Sequence, residues 1–125
     1  PCSAEWRINL NNEKSFGFWN EENIKKNANL QIEILKSIVP LLKKWWNLVY
    51  STCTLAPEEN EEIVLKVLEL YPELELCKIN LDYENSRVWI TKFFNDSYKE
   101  IVKSTIRCLP SIESEWFFIA KFIKK

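Results

Sequence analysis

The side chain best placed for chemistry in this chain is a cysteine. Cys53 stands in the run Tyr50-Ser51-Thr52-Cys53-Thr54-Leu55, behind the short apolar strand Leu48-Val49-Tyr50 and ahead of Pro57-Glu58-Glu59-Asn60-Glu61, which opens a helix. In an open α/β sheet the turn from strand to helix is where substrates bind. A thiolate held there is a nucleophile able to form a covalent intermediate. The positive end of the helix just beyond favours the anion, with Glu58 and Glu59 partly opposing it. A second cysteine, Cys2, lies in Pro1-Cys2-Ser3, while Cys77 and Cys108 read as small buried hydrophobes. The chain has no histidine and no C-x-x-C spacing, so neither a zinc site nor any other metal is expected. The four cysteines read as free thiols of a reducing compartment, the cytoplasm.

The elements that must aim Cys53 follow from periodicity. Asn20 is a good N-cap, and Glu21 and Glu22 favour the dipole of the helix that follows. Ile24, Ala28, Ile32, Leu35, Ile38, Val39 and Leu42 recur at helical spacing, which predicts a helix over residues 21–43 that Pro40 kinks or ends early. Residues 3–19 read as a loop, and 47–51 as a strand. Pro57 suits the first turn of a second helix, whose buried stripe is Ile63, Val64, Val67, Leu68 and Tyr71 and which Pro72 stops. Glu58, Glu59, Glu61 and Glu62 read as helix-start and solvent charges rather than catalytic carboxylates. Residues 74–81 are strand-like, with a shift of alternation near Cys77 that marks a bulge. Residues 82–100 read as a surface loop with a short helix, and 105–109 and 117–123 as two strands closing in an antiparallel hairpin. Helix, strand, helix, strands is α/β order.

At 125 residues the chain is at most one domain, and 46% hydrophobic residues suffice for a core. It carries no membrane-spanning run and no signal-peptide pattern. A net charge of −1 argues against a large electrostatic footprint for nucleic acid on this segment. The chain opens on Pro1 and lacks methionine, so it is expected to be a piece of a longer protein.

The segments Pro1-Cys2-Ser3 and Leu48 to Glu61 together resemble the catalytic half of RNA 5-methylcytosine methyltransferases of the Nop/Sun family. Trp19-Asn20-Glu21-Glu22, Leu30-Gln31, Arg107 to Pro110 and Trp116 to Lys121 match further family segments in order. The resemblance implies the C-terminal half of a Rossmann-like, class I methyltransferase sheet, so that residues 1–125 are a partial catalytic domain lacking its cofactor-binding half. It implies Cys53 as nucleophile, adding to carbon 6 of cytosine so that carbon 5 attacks the methyl of S-adenosylmethionine. It implies Cys2 as the residue that helps release the methylated product. The family's acidic residue lies just before the proline matched by Pro1, and its glycine-rich loop has no counterpart here, which places the S-adenosylmethionine site mostly outside this segment. The implied partner is rRNA or tRNA, with the target base unstacked to reach the thiolate. Two alternatives stay open: a DNA cytosine-5 methyltransferase, in which the nucleophile belongs to the Pro-Cys motif and which the Thr-Cys segment argues against, and a non-catalytic binding domain on the same fold.

One departure from the family pattern is systematic. Trp6, Trp45, Trp46, Trp89 and Trp116 stand at glycine or glycine-like positions, and the chain has one glycine against six tryptophans. Glycine supplies the positive φ that a helix-to-strand turn needs, and tryptophan resists it. These five are expected to be UGA codons of a lineage that reads UGA as glycine, with Trp19 a true UGG.

Overall fold

The computed structural model describes residues 1–9, 11–17, 19–80, 86–87, 103–110 and 115–125. The first α-helix, α1 (Glu21–Ile38), begins where Asn20 accepts the Asn23 N–H through its side chain. It gives way to a 3-10 turn, Val39–Leu41, because Pro40 cannot continue the helical bonding. Strand β1 (Asn47–Thr52) follows. Helix α2 (Glu61–Leu70) then starts later than Pro57 suggests, since Pro57–Glu59 form a separate 3-10 turn and Asn60 breaks the helical geometry at φ −118°, ψ −95°. Strands β2 (Leu74–Cys77), β3 (Ser86–Arg87), β4 (Ile106–Cys108) and β5 (Phe117–Lys124) complete the described elements.

Helices and strands alternate in the expected α/β order, and β5 is the hub of the sheet. One edge of β5 pairs antiparallel with the whole of β1, from Asn47↔Ile123 to Thr52↔Phe118. Its other edge is shared: β2 takes the C-terminal half, and β4 takes the N-terminal half, from Ile106↔Ile119 to Cys108↔Phe117. The β4–β5 pair is the predicted closing hairpin. Three boundaries differ from expectation. The strand at 74 ends at Cys77 with unbroken register to β5, so no bulge forms. Ser86–Arg87, inside the predicted loop, pairs with β4, whose outer edge would otherwise be bare. Residues 3–19 contain two 3-10 turns, Glu5–Arg7 and Glu13–Phe16. The rest of the 82–100 loop, Trp89 included, and the Trp6 side chain lie outside the described residues.

The core lies where α1 and α2 cover the sheet. Ala28, Leu35 and Val39 of the first helical segment meet Ile63, Val64 and Val67 of α2 and Tyr50, Phe118, Ala120 and Phe122 of the sheet, with Leu68 and Tyr71 packed at its margin. Beside this core, between α1 and β1, Ile34 and Ile38 border a groove with Pro1, Leu48 and Val49. Among the described residues no helix is long and apolar enough to cross a membrane.

The glycine-like positions divide. Trp45 takes φ 68° in the turn into β1, and Ala4 takes φ 51°. Both are left-handed backbone that a Cβ disfavours. Trp45 lies exposed under Lys44, and Trp46 has ordinary φ. Trp116 is different: its indole is buried, and its Nε1–H donates to the Thr54 carbonyl at 3.0 Å. We expect Trp45→Gly to raise the stability of the full-length protein by about 1 kcal/mol in denaturant unfolding, the left-handed strain outweighing an exposed cation–π contact. A lower midpoint would refute this. The gene sequence at 45 tests the codon reading directly.

Candidate active site

Around Cys53 the sequence reads Thr-Cys-Thr, and the alternation of burial explains why. Thr52 and Thr54 are buried and Cys53 is half-buried, so the threonines anchor the backbone while the thiol faces the other way. Thr52 Oγ1 donates to Asn60 Oδ1 at 2.5 Å. Asn60 Nδ2 returns to the Thr54 carbonyl at 2.9 Å, so the asparagine ahead of α2 braces this loop instead of capping its own helix. Thr54 Oγ1 donates to Glu5 Oε2 at 2.7 Å. With that single hydrogen used, Ser3 Oγ donates to Thr54 Oγ1, at 2.8 Å.

The chain end and this loop thus meet, and they bring the two predicted site cysteines together. Cys2 Sγ lies 2.8 Å from Cys53 Sγ, across 51 positions of sequence, and both residues are half-buried. Cys77 and Cys108 take no part. Cys108 is buried in β4, and burial pushes its thiol pKa up. Cys77 is half-exposed at the end of β2, contrary to the expectation of a buried hydrophobe, because the strand ends there.

The acids depart most from expectation. Glu59 and Glu61, read as solvent charges, are fully buried. Glu61 receives Arg107 bidentately, Nε to Oε1 at 2.9 Å and Nη2 to Oε2 at 2.6 Å. Arg107 also gives Nη1 to the Leu55 carbonyl at 3.1 Å, tying β4 to the Cys53 loop. Glu59 accepts the Ser3 N–H on both oxygens, at 3.2 and 3.1 Å, and Gln31 Nε2 on Oε2 at 2.8 Å. The helix-dipole expectation for Cys53 also changes. α2 begins only at Glu61, and the Leu55 and Ala56 N–H groups of the intervening turn donate to Glu5 Oε2, at 2.6 and 3.0 Å. A charged residue inside the apolar strand Ile106-Arg107-Cys108 was the sequence signal for a buried acid partner.

Burial raises the Glu59 pKa, the bonds from Ser3 and Gln31 oppose the rise, and nearby Glu5 adds to it. Burial, with Glu59 and Cys2 nearby, also raises that of Tyr50, whose hydroxyl donates to the Glu59 carbonyl at 2.6 Å. A carboxyl with a raised folded pKa holds its proton more tightly folded than unfolded. Its contribution is therefore present at low pH and lost as pH climbs from about the ordinary 4.5 through the raised value. We expect Glu59→Gln to flatten that fall in urea unfolding measured across pH 4 to 7; an unchanged slope would show that other groups carry it. Among the described residues no group of three or more His, Cys, Asp or Glu is arranged to hold a metal ion.

Known proteins share this arrangement of sequence and fold. The chain is 33% identical over 128 residues to a tRNA (cytosine(49)-C(5))-methyltransferase of Pyrococcus abyssi, covering 99% of this chain and 39% of the relative. It is 37% identical over 78 residues to the ribosomal RNA small subunit methyltransferase B of Yersinia pseudotuberculosis, covering 62% of this chain and 18% of the relative. The chain therefore spans less than half the length of these curated relatives. In structure it superposes on a methyltransferase homolog protein from Pyrococcus horikoshii with TM-score 0.70 and 34% identity, over 86% of this chain and 34% of the other. The crystal structure of PH0851 gives TM-score 0.75 and 27% identity, over 99% of this chain and 25% of the other. The sequence profile described as 16S rRNA methyltransferase RsmB/F matches residues 1–123, nearly the full chain, and the chain belongs to that family.

Proposed function

We propose that this chain is the cysteine-bearing part of the catalytic domain of an S-adenosylmethionine-dependent RNA cytosine-5 methyltransferase acting on rRNA or tRNA, with Cys53 the nucleophile and Cys2 the residue of product release. The observation that carries this reading is the 2.8 Å approach of the two sulfurs at a half-buried site. The contact puts the Cys2 sulfur within reach of the sulfur that must add and leave. The Cys53 thiolate adds to carbon 6, and the electron pair of the 5,6 double bond makes carbon 5 nucleophilic. After carbon 5 is methylated, its proton leaves, the double bond reforms and Cys53 departs with its own electron pair. Cys2, in contact with the departing sulfur, serves as base or exchange partner in that second half.

The methyl donor supplies an electrophilic methyl, and we infer that its site lies mostly outside residues 1–125. The chain's single glycine, Gly17, has ordinary helical φ, −62°, and ends a 3-10 turn, so no glycine-rich cradle is formed. We accordingly infer that residues 1–125 are a partial domain, inactive as a separate polypeptide. The test uses the full-length protein with RNA carrying 5-fluorocytosine, from which carbon 5 cannot lose a proton. A covalent adduct mapped by peptide mass spectrometry to Cys53 is expected. An adduct on Cys2 would instead favour the order of events of a DNA-type enzyme, and no adduct would reject the covalent route.

A further inference from the structure

The two cysteine segments are fastened to each other by acids exchanged across the gap. Glu5, three residues after Cys2, places Oε2 against Thr54 Oγ1 and the Leu55 and Ala56 N–H groups, just beyond Cys53. Glu59, six residues after Cys53, places both oxygens on the Ser3 N–H, just beyond Cys2. Gln31 of α1 completes the second hold, its Nε2 donating to Glu59 and to the Pro1 carbonyl, both at 2.8 Å, so that Cys2 is gripped on both sides. The far oxygen of Glu5 is itself held by Trp19 Nε1 at 2.8 Å. The buried Ser3 amide would be an orphaned donor without Glu59, whereas Ala56 shares its N–H with Thr54 Oγ1 and Leu55 lies at the surface. A carboxylate is the side chain that accepts several such donors at once.

We propose that Glu5 and Glu59 are the positioning residues of the cysteine pair, each borne on one cysteine's segment and fixing the backbone beside the other. The proposal rests on the roles given to Cys53 and Cys2 above, and it assigns the two acids different consequences. Without Glu5 the turn after Cys53 loses three bonds, while Ser3 stays tied to Glu59; addition to carbon 6 suffers first. Without Glu59 the Cys2 segment loses the acceptor of its Ser3 amide and keeps only Gln31 on the Pro1 carbonyl and Ser3 Oγ on Thr54, while Thr54 stays tied to Asn60 and Trp116 through its carbonyl. Release suffers first.

Two measurements on the full-length protein test this. The first needs no RNA: diamide takes the two thiol hydrogens, and formation of the Cys2–Cys53 disulfide is followed by mass spectrometry. Wild type is expected to form it rapidly, and Glu5→Ala and Glu59→Ala at least about tenfold more slowly, because small misplacements cost large factors in proximity. Alkylation of half-exposed Cys77 at an unchanged rate confirms that the variants are folded. Glu5→Gln and Glu59→Gln, which keep an acceptor oxygen, should fall between, and they decide the question if the alanine variants do not fold. The second measurement uses RNA substrate: Glu59→Ala should accumulate covalent protein–RNA adduct, and Glu5→Ala should form less of it than wild type. Wild-type disulfide rates in folded variants, or the same adduct level in both alanine variants, would overturn the proposal. Acid-dependent cross-linking with adducts on neither cysteine would leave the positioning intact and reject the catalytic roles instead.

Discussion

Cys53→Ala in the full-length protein should reduce methylation by about 10⁴-fold or more, the scale on which a covalent nucleophile is lost. Among the described residues no other side chain shares its place: the adjacent threonines are turned inward and hydrogen-bonded, and Cys2 approaches from a different segment. Cys2→Ala should behave differently. Addition needs only Cys53, so adduct should form, while turnover falls by about 10²–10⁴-fold, the usual contribution of a positioned acid–base group. Denaturing gels of protein with RNA separate the cases: a shifted, stable band for Cys2→Ala and none for Cys53→Ala. Near-normal turnover by Cys53→Ala would end the assignment.

The second large effect is on stability. Arg107→Ala should destabilise the fold by about 3–5 kcal/mol, because it strands the fully buried Glu61 carboxylate. Glu61→Ala should cost a similar amount by stranding the guanidinium. Replacing both by apolar residues of similar size, Arg107→Met with Glu61→Leu, should recover much of the loss, since a buried ion pair contributes little net stability over a well-packed apolar substitute. Activity should not recover with it. Arg107 also holds the Leu55 carbonyl, and methionine offers that oxygen no hydrogen. A double variant with restored thermal stability and depressed turnover would show that the pair is kept for the cysteine loop. Restored activity would assign it to stability alone.

These two sites differ in how far the sequence exposed them. The Thr-Cys-Thr run and the Pro-Cys-Ser start were visible because they are local strings, and so were α1, β1 and the stripe of α2, which follow from periodicity over neighbouring residues. The buried acids were hidden because their partners are remote: Glu59 meets Ser3 across 56 positions, and Glu61 meets Arg107 across 46. Glutamates at the start of a helix are ordinarily solvated, and nothing in Glu58-Glu59-Asn60-Glu61-Glu62 distinguishes the inward pair from its exposed and half-buried neighbours. The late start of α2 has the same cause. Asn60 is drawn out of helical geometry by Thr52 and the Thr54 carbonyl, a tertiary demand that overrides local preference. Two-residue β3 carries no pattern and exists only through β4.

The position of β5 at the hub of the sheet bears on how the protein is made. On the ribosome the chain is made from its N-terminal end, so β1, β2 and β4 are all synthesised before residues 117–124, the strand they pair with. Until then Tyr50 has neither Phe118 nor Ala120 beside it, and the strand that leads into Cys53 lacks its β5 partner. Pairings this distant along the chain form slowly. During that interval the waiting strands and a reactive thiol are open to other chains. Nascent chains of this segment should therefore engage holdase chaperones until Lys124 clears the exit tunnel, and lose that dependence within one step of chain growth rather than gradually.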